Sequence, residues 1–278
     1  MSYQILHGGS LMILFVFVLL FSKIVNDMLT PYKLDEELTA KDNVALAVSV
    51  AGYFGAVSAI FIGAYLGPSR GIYQDILSVG GYSLMGIALL NLSHVINDKL
   101  ILYRFSNVKE IIEDRNAGTG AVQFGSYMAS GMIIAGAVHG QGGGPHTALA
   151  FYLLGQIALI VFTWLYDRMT PFNIHDEIEK DNVAAGVAFG GAMIAIGIIL
   201  MKGASGSFVS WSYNLYIFAA DSLLIFILLP AIRYFFDKVI IPGSPLNHEI
   251  QTDQNMGAAL LEITVMISFA VILHFTLG

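Results

Sequence analysis

The chain has no cysteine in 278 residues. That excludes a disulfide frame, a thiol nucleophile and a thiolate metal site. Charge is also scarce. Asp, Glu, Lys and Arg make up 12% of the chain and hydrophobic residues 56%, where soluble domains carry about 25% charged residues. Mean hydropathy is +0.72. The composition is that of an integral membrane protein, not of a soluble domain with a large core. The net charge of −7 argues against a nucleic-acid partner. No Lys or Arg precedes the first apolar run, Leu11–Phe21, and no small-residue cleavage site follows it. That run is expected to be a retained membrane helix rather than a signal peptide. Ser and His form neither a nucleophile elbow nor a metalloprotease spacing. No glycine cluster forms a phosphate loop after a strand. The chain is therefore not expected to be an enzyme, and no catalytic residue, cofactor or metal site is assigned.

What the chain does have is apolar runs. Crossing a bilayer takes about 20 mostly apolar residues in a helix. Eight segments qualify, at about 5–26, 44–66, 72–97, 119–138, 147–166, 183–202, 213–236 and 256–277. The connections alternate in character. Those near 67–71, 139–146 and 203–212 are short and rich in Gly, Ser and Pro. Those near 27–43, 98–116, 167–182 and 237–255 are longer and charged.

Each charged connection carries one motif: an acid, an aliphatic residue, a short polar run with an Asp, then Asn. It reads Glu37-Leu38 to Asn43, Glu110-Ile111 to Asn116, Glu177-Ile178 to Asn182 and Glu249-Ile250 to Asn255. Further upstream, an Asp ends each preceding apolar run: Asp27, Asp98, Asp167 and Asp237. Adding 139 to Asp98, Glu110, Asp114 and Asn116 gives Asp237, Glu249, Asp253 and Asn255, and 278 is twice 139. Residues 1–139 and 140–278 are thus two four-helix membrane repeats. Four crossings per half make the repeats parallel in the membrane, not inverted. The loop ending at Asn182 is one residue shorter than its partner ending at Asn43. The motif recurs within each half as well, which suggests an older two-helix unit used four times.

Eleven of the 13 Lys and Arg residues lie in or beside the motif connections; Arg70 and Lys202 do not. The positive-inside rule puts the motif face in the cytoplasm and both termini in the periplasm. Small residues spaced four apart, Gly186 with Gly190 and Ala51 with Gly55, mark close helix packing. The helix after each Asn is expected to be an inner one, and the helix before each Asp to face lipid.

The four Asn residues have two readings. Asn is a preferred N-cap, and Asp42, Asp114, Asp181 and Asp253 just upstream complement the positive helix end. Alternatively, Asn43, Asn116, Asn182 and Asn255 with those acids converge on a pseudo-symmetric axis and form a path for ions. The upstream Asp residues are either interfacial ion pairs with neighbours such as Lys99, Arg168 and Lys238, or a ring of acids at a pore mouth. Asp221, Glu262 and His94 lie inside apolar segments, where an ionisable group points to function. Their duplication partners are Tyr82, Gln123 and Arg233, so any role is specific to one half. His139 and His146 flank a Gly-rich stretch that reads as a flexible linker between the halves or as a metal-binding loop.

The Thr30-Pro31-Tyr32 element with Asp42-Asn43, and Thr170-Pro171-Phe172 with Asp181-Asn182, resemble the bacterial inner-membrane family typified by YjfL, the domain of unknown function 350. Asn116 and Asn255 extend the likeness. Members are typically one four-helix unit, so the resemblance implies two fused copies in the inner membrane. It carries no catalytic residues. Relatives are often discussed beside phage-shock-type membrane-stress proteins, which raises a scaffold role. The leading expectation is a channel or transporter for a small ion or solute. The alternative is a non-transporting scaffold that recruits a cytoplasmic protein partner. Homo-oligomers fit either reading, and the lipid bilayer is the common partner.

Overall fold

In the computed structural model, residues 2–276 are described, and every element among them is helical. The long helices are α1 (Ser2–Leu29), α3 (Val44–Tyr65), α4 (Ile72–Leu100), α6 (Ala117–Val138), α7 (Pro145–Met169), α9 (Val183–Ala204), α10 (Trp211–Phe235) and α12 (Met256–Thr276). Eight spans are long and apolar enough to cross a membrane. They match the eight expected segments, with the outer helices several residues longer than the apolar runs. Leu277, placed in the last segment, lies outside the described residues.

Four short helices of six residues each punctuate the charged connections: α2 (Leu34–Thr39), α5 (Asn107–Ile112), α8 (Ile174–Glu179) and α11 (Leu246–Gln251). They are too short for hydrophobic periodicity to reveal. Each buries an aliphatic residue, such as Ile111, Ile178 and Ile250, and the first three also bury their motif Glu while Asp35, Glu36 and Glu179 stay exposed. α10 contains Pro230 and passes into a π-helical turn over Phe236–Ile240. A missing N–H and a register slip of this kind commonly fall together.

The long helices form two layers. α3, α6, α9 and α12 all start at the motif face, so they run parallel, and each packs directly on the next in a single row. The second layer lies over the seams of this row. α4 contacts α3 and α6, α7 contacts α6 and α9, and α10 contacts α9 and α12, while α1 edges α3 and α4. The row comes together backbone to backbone. A Cβ on Gly125 would collide with the backbone of Gly190, and one on Gly190 with that of Ala121. Lipid offers no hydrophobic force between apolar helices, so this close approach is what holds the row. The positions where α6 and α9 meet backbone to backbone are accordingly Gly and Ala, such as Gly125, Gly190, Gly197 and Ala129, whereas α1 exposes Ile13, Val16, Phe17 and Leu20. The row also curves. At the face opposite the motif, Ile62 of α3, Met132 of α6, Met201 of α9 and His274 of α12 border one depression of about 300 Å³.

Candidate functional site

The motif builds the same structure four times. Each Asn is the N-cap of its inner helix. Oδ1 accepts the N–H of the third helical residue: Leu46 for Asn43, Thr119 for Asn116, Ala185 for Asn182 and Ala258 for Asn255. The residue before each Asn takes a left-handed backbone, with φ of 48° at Asp42, 53° at Arg115, 62° at Asp181 and 48° at Gln254. None is Gly, so each turn stores some strain. It is repaid locally, because the Asn N–H returns to the carbonyl of the motif's first acid in all four copies. The shorter loop keeps this bond, from Asn182 to Glu177 at 3.0 Å.

The amide nitrogen of each Asn does a second job. Nδ2 donates to the carboxylate of its own motif Glu, at 3.3 Å to Glu37, 3.0 Å to Glu110, 3.3 Å to Glu177 and 2.7 Å to Glu249. In the first three copies it also reaches the next unit. Asn43 donates to the carbonyl of Ile111 at 2.9 Å, Asn116 to that of Ile178 at 2.7 Å and Asn182 to that of Ile250 at 2.9 Å. Each acceptor is the aliphatic residue after the following motif Glu. These three Asn side chains are buried, whereas Asn255 is exposed and has no next unit. The four Asn residues therefore lie along the row as caps, and the first three of them also as latches. They are not gathered round one axis.

The Glu residues are the part of this site that the sequence reading passed over, although each opens its motif. Their electrostatics differ. The Lys41 ammonium, 2.6 Å from Glu37, holds that carboxyl below the usual range. Burial pushes the Glu110 carboxyl up, against the bond from Asn116. The hydroxyl of Ser244 and the amide of Asn255 hold Glu249 low. The Asp residues named with the Asn face outward. Asp42 and Asp181 are exposed, Asp114 pairs with Lys109 at 3.0 Å, and Asp253 lies 3.7 Å from His248.

The upstream Asp residues sit where the long outer helices meet the motif loops, and two of them hold the short helices. Asp167 accepts the N–H of Ile174, and Asp237 that of Leu246, the first residues of α8 and α11. Lys238 lies 2.7 Å from Asp237, as expected. The other partners differ from the adjacent bases: Lys23 at 2.8 Å for Asp27, and His94 at 3.5 Å for Asp98.

The profile of Domain of Unknown Function (DUF350) matches this chain twice, over residues 2–138 and 142–277. The chain belongs to that family. A UPF0719 transmembrane protein of Aquifex aeolicus (strain VF5) is 27% identical over 274 residues, covering 95% of this chain and 97% of its own length. The UPF0719 transmembrane protein YshE of Bacillus subtilis (strain 168) is 25% identical over 123 residues, which is 87% of its length and 44% of this chain. This relative is about as long as one half of the chain. No solved structure matches the chain.

The two copies of the family domain differ inside the membrane. In the first, Asn97 of α4 donates to Ser126 at 2.7 Å and Ser130 at 3.2 Å of α6, and this seam is joined from the second copy by Gln156 of α7, which donates to Asn97. Ser93 donates across the same boundary to the Tyr152 hydroxyl of α7 at 3.0 Å, and within the first copy Ser49 donates to Gln123 at 2.6 Å. His94 stacks on Tyr127. In the second, Arg233 Nε stands 3.1 Å from Glu262 Oε1, and the guanidinium lies over the Tyr166 ring. Both side chains are buried, and neither Glu262 oxygen has an aligned hydrogen-bond donor. Asp221 pairs with Lys202 at 3.0 Å. The sequence named Glu262 but not its partner, which comes from another helix.

At the opposite face a cavity of about 580 Å³ opens among the short connections, lined by Arg70, Asp75, His139, Gln141 and Asn214. The glycine-rich segment joining the halves is held there. Gln141 accepts the N–H of Phe208 at 2.7 Å, and Gly140 packs on Gly206 with φ +124°. Among the described residues, no three metal-binding side chains come together.

Proposed function

We propose that this protein is a membrane scaffold, a stiff two-layer plate of helices that presents a line of short charged helices at the motif face. One observation carries the reading. The Asn side chains that would have lined an ion path are engaged as caps and as latches between units, and the helices beneath them touch through backbone. A polar path at that place would have to break these bonds. The same latches set α5, α8 and α11 in register, α2 is held by the Asn43 bond to Glu37, and Asp35, Glu36, Glu113, Glu179 and Asp181 are exposed. Acids outnumber bases at this face, so the partner that suits it is a soluble protein with a basic segment. Photo-crosslinkers at Thr39, Glu113 and Glu179 should capture such a partner in cells, and crosslinkers at Ser69 and Ser207 on the opposite face should not. Replacing Asp35, Glu36, Glu113 and Glu179 by Ser and Gln should abolish the capture without loss of insertion. Equal capture at both faces, or capture that survives neutralisation, would sink the scaffold reading. The proposed orientation, motif face in the cytoplasm, is tested by impermeant thiol labelling of single Cys variants at Ser69 and Thr39 in whole cells.

A second reading has its own observation. The opposite-face cavity lies above the polar seam of Tyr152, Ser93, Gln156, Asn97 and Ser126 between α4, α6 and α7. On that reading a small ion or solute enters the cavity and follows the seam, away from the Asn caps. Purified protein in liposomes would then pass K⁺, Na⁺ or H⁺ above the leak, and Asn97→Leu would stop it. Flat flux from folded protein favours the scaffold.

A further inference from the structure

The row of inner helices has two unlike ends, and each carries half of the junction that is made three times inside the chain. At every internal junction one unit supplies an Asn Nδ2 donor and the next supplies a carbonyl from its short helix. At the last unit the donor, Asn255, bonds only its own Glu249. At the first unit the corresponding carbonyl, that of Leu38, accepts no hydrogen bond among the described residues. The short helices show the same asymmetry. α5, α8 and α11 each pack on their own inner helix and on the preceding one, whereas α2 packs mainly on α3 and pairs Asp35 with Lys23 of α1 at 3.4 Å.

The helix faces agree with the latches. Counting from the Asn, the residue nine on packs against the residue eight on in the next unit: Gly52 on Phe124, Gly125 on Gly190, and Gly191 on Ile263. The fourth members of these series are Thr264 on α12 and Ala51 on α3, and both are exposed. Along the same faces Gly257, Thr264 and Ser268 are exposed on α12, and Ala47 and Ala51 on α3. Thr264 and Ser268 hydroxyls bond only their own helix. Small and hydroxyl residues of this kind mark helix interfaces within a bilayer, and α1 shows that the lipid-facing surface here is built from large aliphatic and aromatic side chains. The junction between α6 and α9 adds a precedent. It joins two halves, each about the length of the Bacillus subtilis relative.

We propose that copies of this protein associate head to tail. α12 of one copy docks on α3 of the next, with Asn255 donating to the Leu38 carbonyl. The contact uses different surfaces on the two partners, so it is heterologous, and copies add at both ends until the curve closes or the row runs on. The inference rests on the latch geometry and stands apart from the scaffold reading.

The absence of cysteine makes the test direct. In native membranes treated with copper phenanthroline, the double variant Thr264→Cys with Ala51→Cys should give a ladder of disulfide-linked dimers, trimers and higher species. The two single variants should each stay monomeric, and their co-expression should give dimers only. Dimers from Thr264→Cys alone would show a symmetric face-to-face contact and overturn the proposal. A second measurement guards against poor disulfide geometry. Native mass spectrometry of the unmodified protein from nanodiscs should show multiples of the chain, and Thr264→Trp should reduce them to single copies while α-helical circular dichroism is kept. Single copies before any substitution, or multiples that survive it, would equally overturn the proposal. In a Glu249→Gln background, Asn255→Asp keeps the cap acceptor but removes the donor, and should weaken the ladder by roughly fivefold.

Discussion

The two halves share a skeleton and differ in their interior. The Asn cap, the motif Glu, the left-handed residue and the glycine contacts recur in both. Inside the membrane the halves part. Asn97, Ser126 and Ser130 of the first correspond, 139 residues on, to Phe236, Val265 and Phe269 of the second. His94 and Gln123 correspond to Arg233 and Glu262. A hydrogen-bonded seam in one half is thus replaced by aromatic packing beside a buried ion pair in the other. The lesson is that the skeleton needs only caps, latches and close approach, so the intramembrane positions were free to diverge. Any activity specific to this chain is to be sought among the divergent groups.

The ion pair gives the largest test of that contrast. Glu262→Ala should destabilise the protein by about 3–5 kcal/mol, since it strands Arg233 without a partner. Gln123→Ala, at the equivalent place, should cost about 1 kcal/mol for the bond from Ser49. Unfolding in detergent, followed by circular dichroism, measures both. Replacing the pair together, Arg233→Met with Glu262→Leu, should recover most of the loss. Equal costs at the two positions would mean that the second interior is no different in kind from the first.

The shared skeleton is tested next. Gly125→Ala drives a methyl into the Gly190 backbone and should cost about 1–3 kcal/mol by overpacking. Gly80→Ala in α4 meets only the end of Leu14, and should be neutral or slightly stabilising because Ala favours helix over Gly. If both are neutral, the inner row is not held by backbone contact.

The caps sharpen the comparison further. Asn116 caps, holds Glu110 and latches Ile178, whereas Asn255 only caps and holds Glu249. Asn116→Ala should exceed the cost of Asn255→Ala by about 1 kcal/mol in protein kept as single copies in detergent, one buried hydrogen bond's worth. The equivalence that duplication leads one to expect is therefore replaced by a graded effect.

The smallest effect is one of pH. Glu110 binds its proton more tightly in the folded state, through burial. Its contribution is favourable below the ordinary carboxyl value and is lost as pH rises through the raised folded value. Glu37, held low first of all by Lys41, behaves oppositely. Its stabilisation is present above the ordinary value and disappears as pH falls through the depressed one. Glu110→Gln should flatten the first dependence, read from thermal unfolding between the ordinary carboxyl value and neutral pH, and Glu37→Gln the second, read at acid pH below that value.

Much of the architecture was legible from residues alone. Long apolar runs have few alternatives in lipid, because a helix satisfies its own backbone, and the 139-residue offset of Asp, Glu and Asn exposes the duplication directly. The cap role of Asn116 was legible too, since it follows from one residue's chemistry at a helix start. The short helices α5 and α8 were not, being less than two turns long and surrounded by charge. Nor was the latch from Asn116 to the Ile178 carbonyl, which spans 62 residues and ends on a backbone atom that any residue type supplies. Arg233 and Glu262 stand on separate helices and carry no spacing signal. Helix number, duplication and caps thus depend on periodicity and local preference, which the order of residues contains. Whether four inner helices form a ring or a row, and which donors and acceptors remain free at its ends, depends on how distant surfaces approach. Only packing in three dimensions decides that.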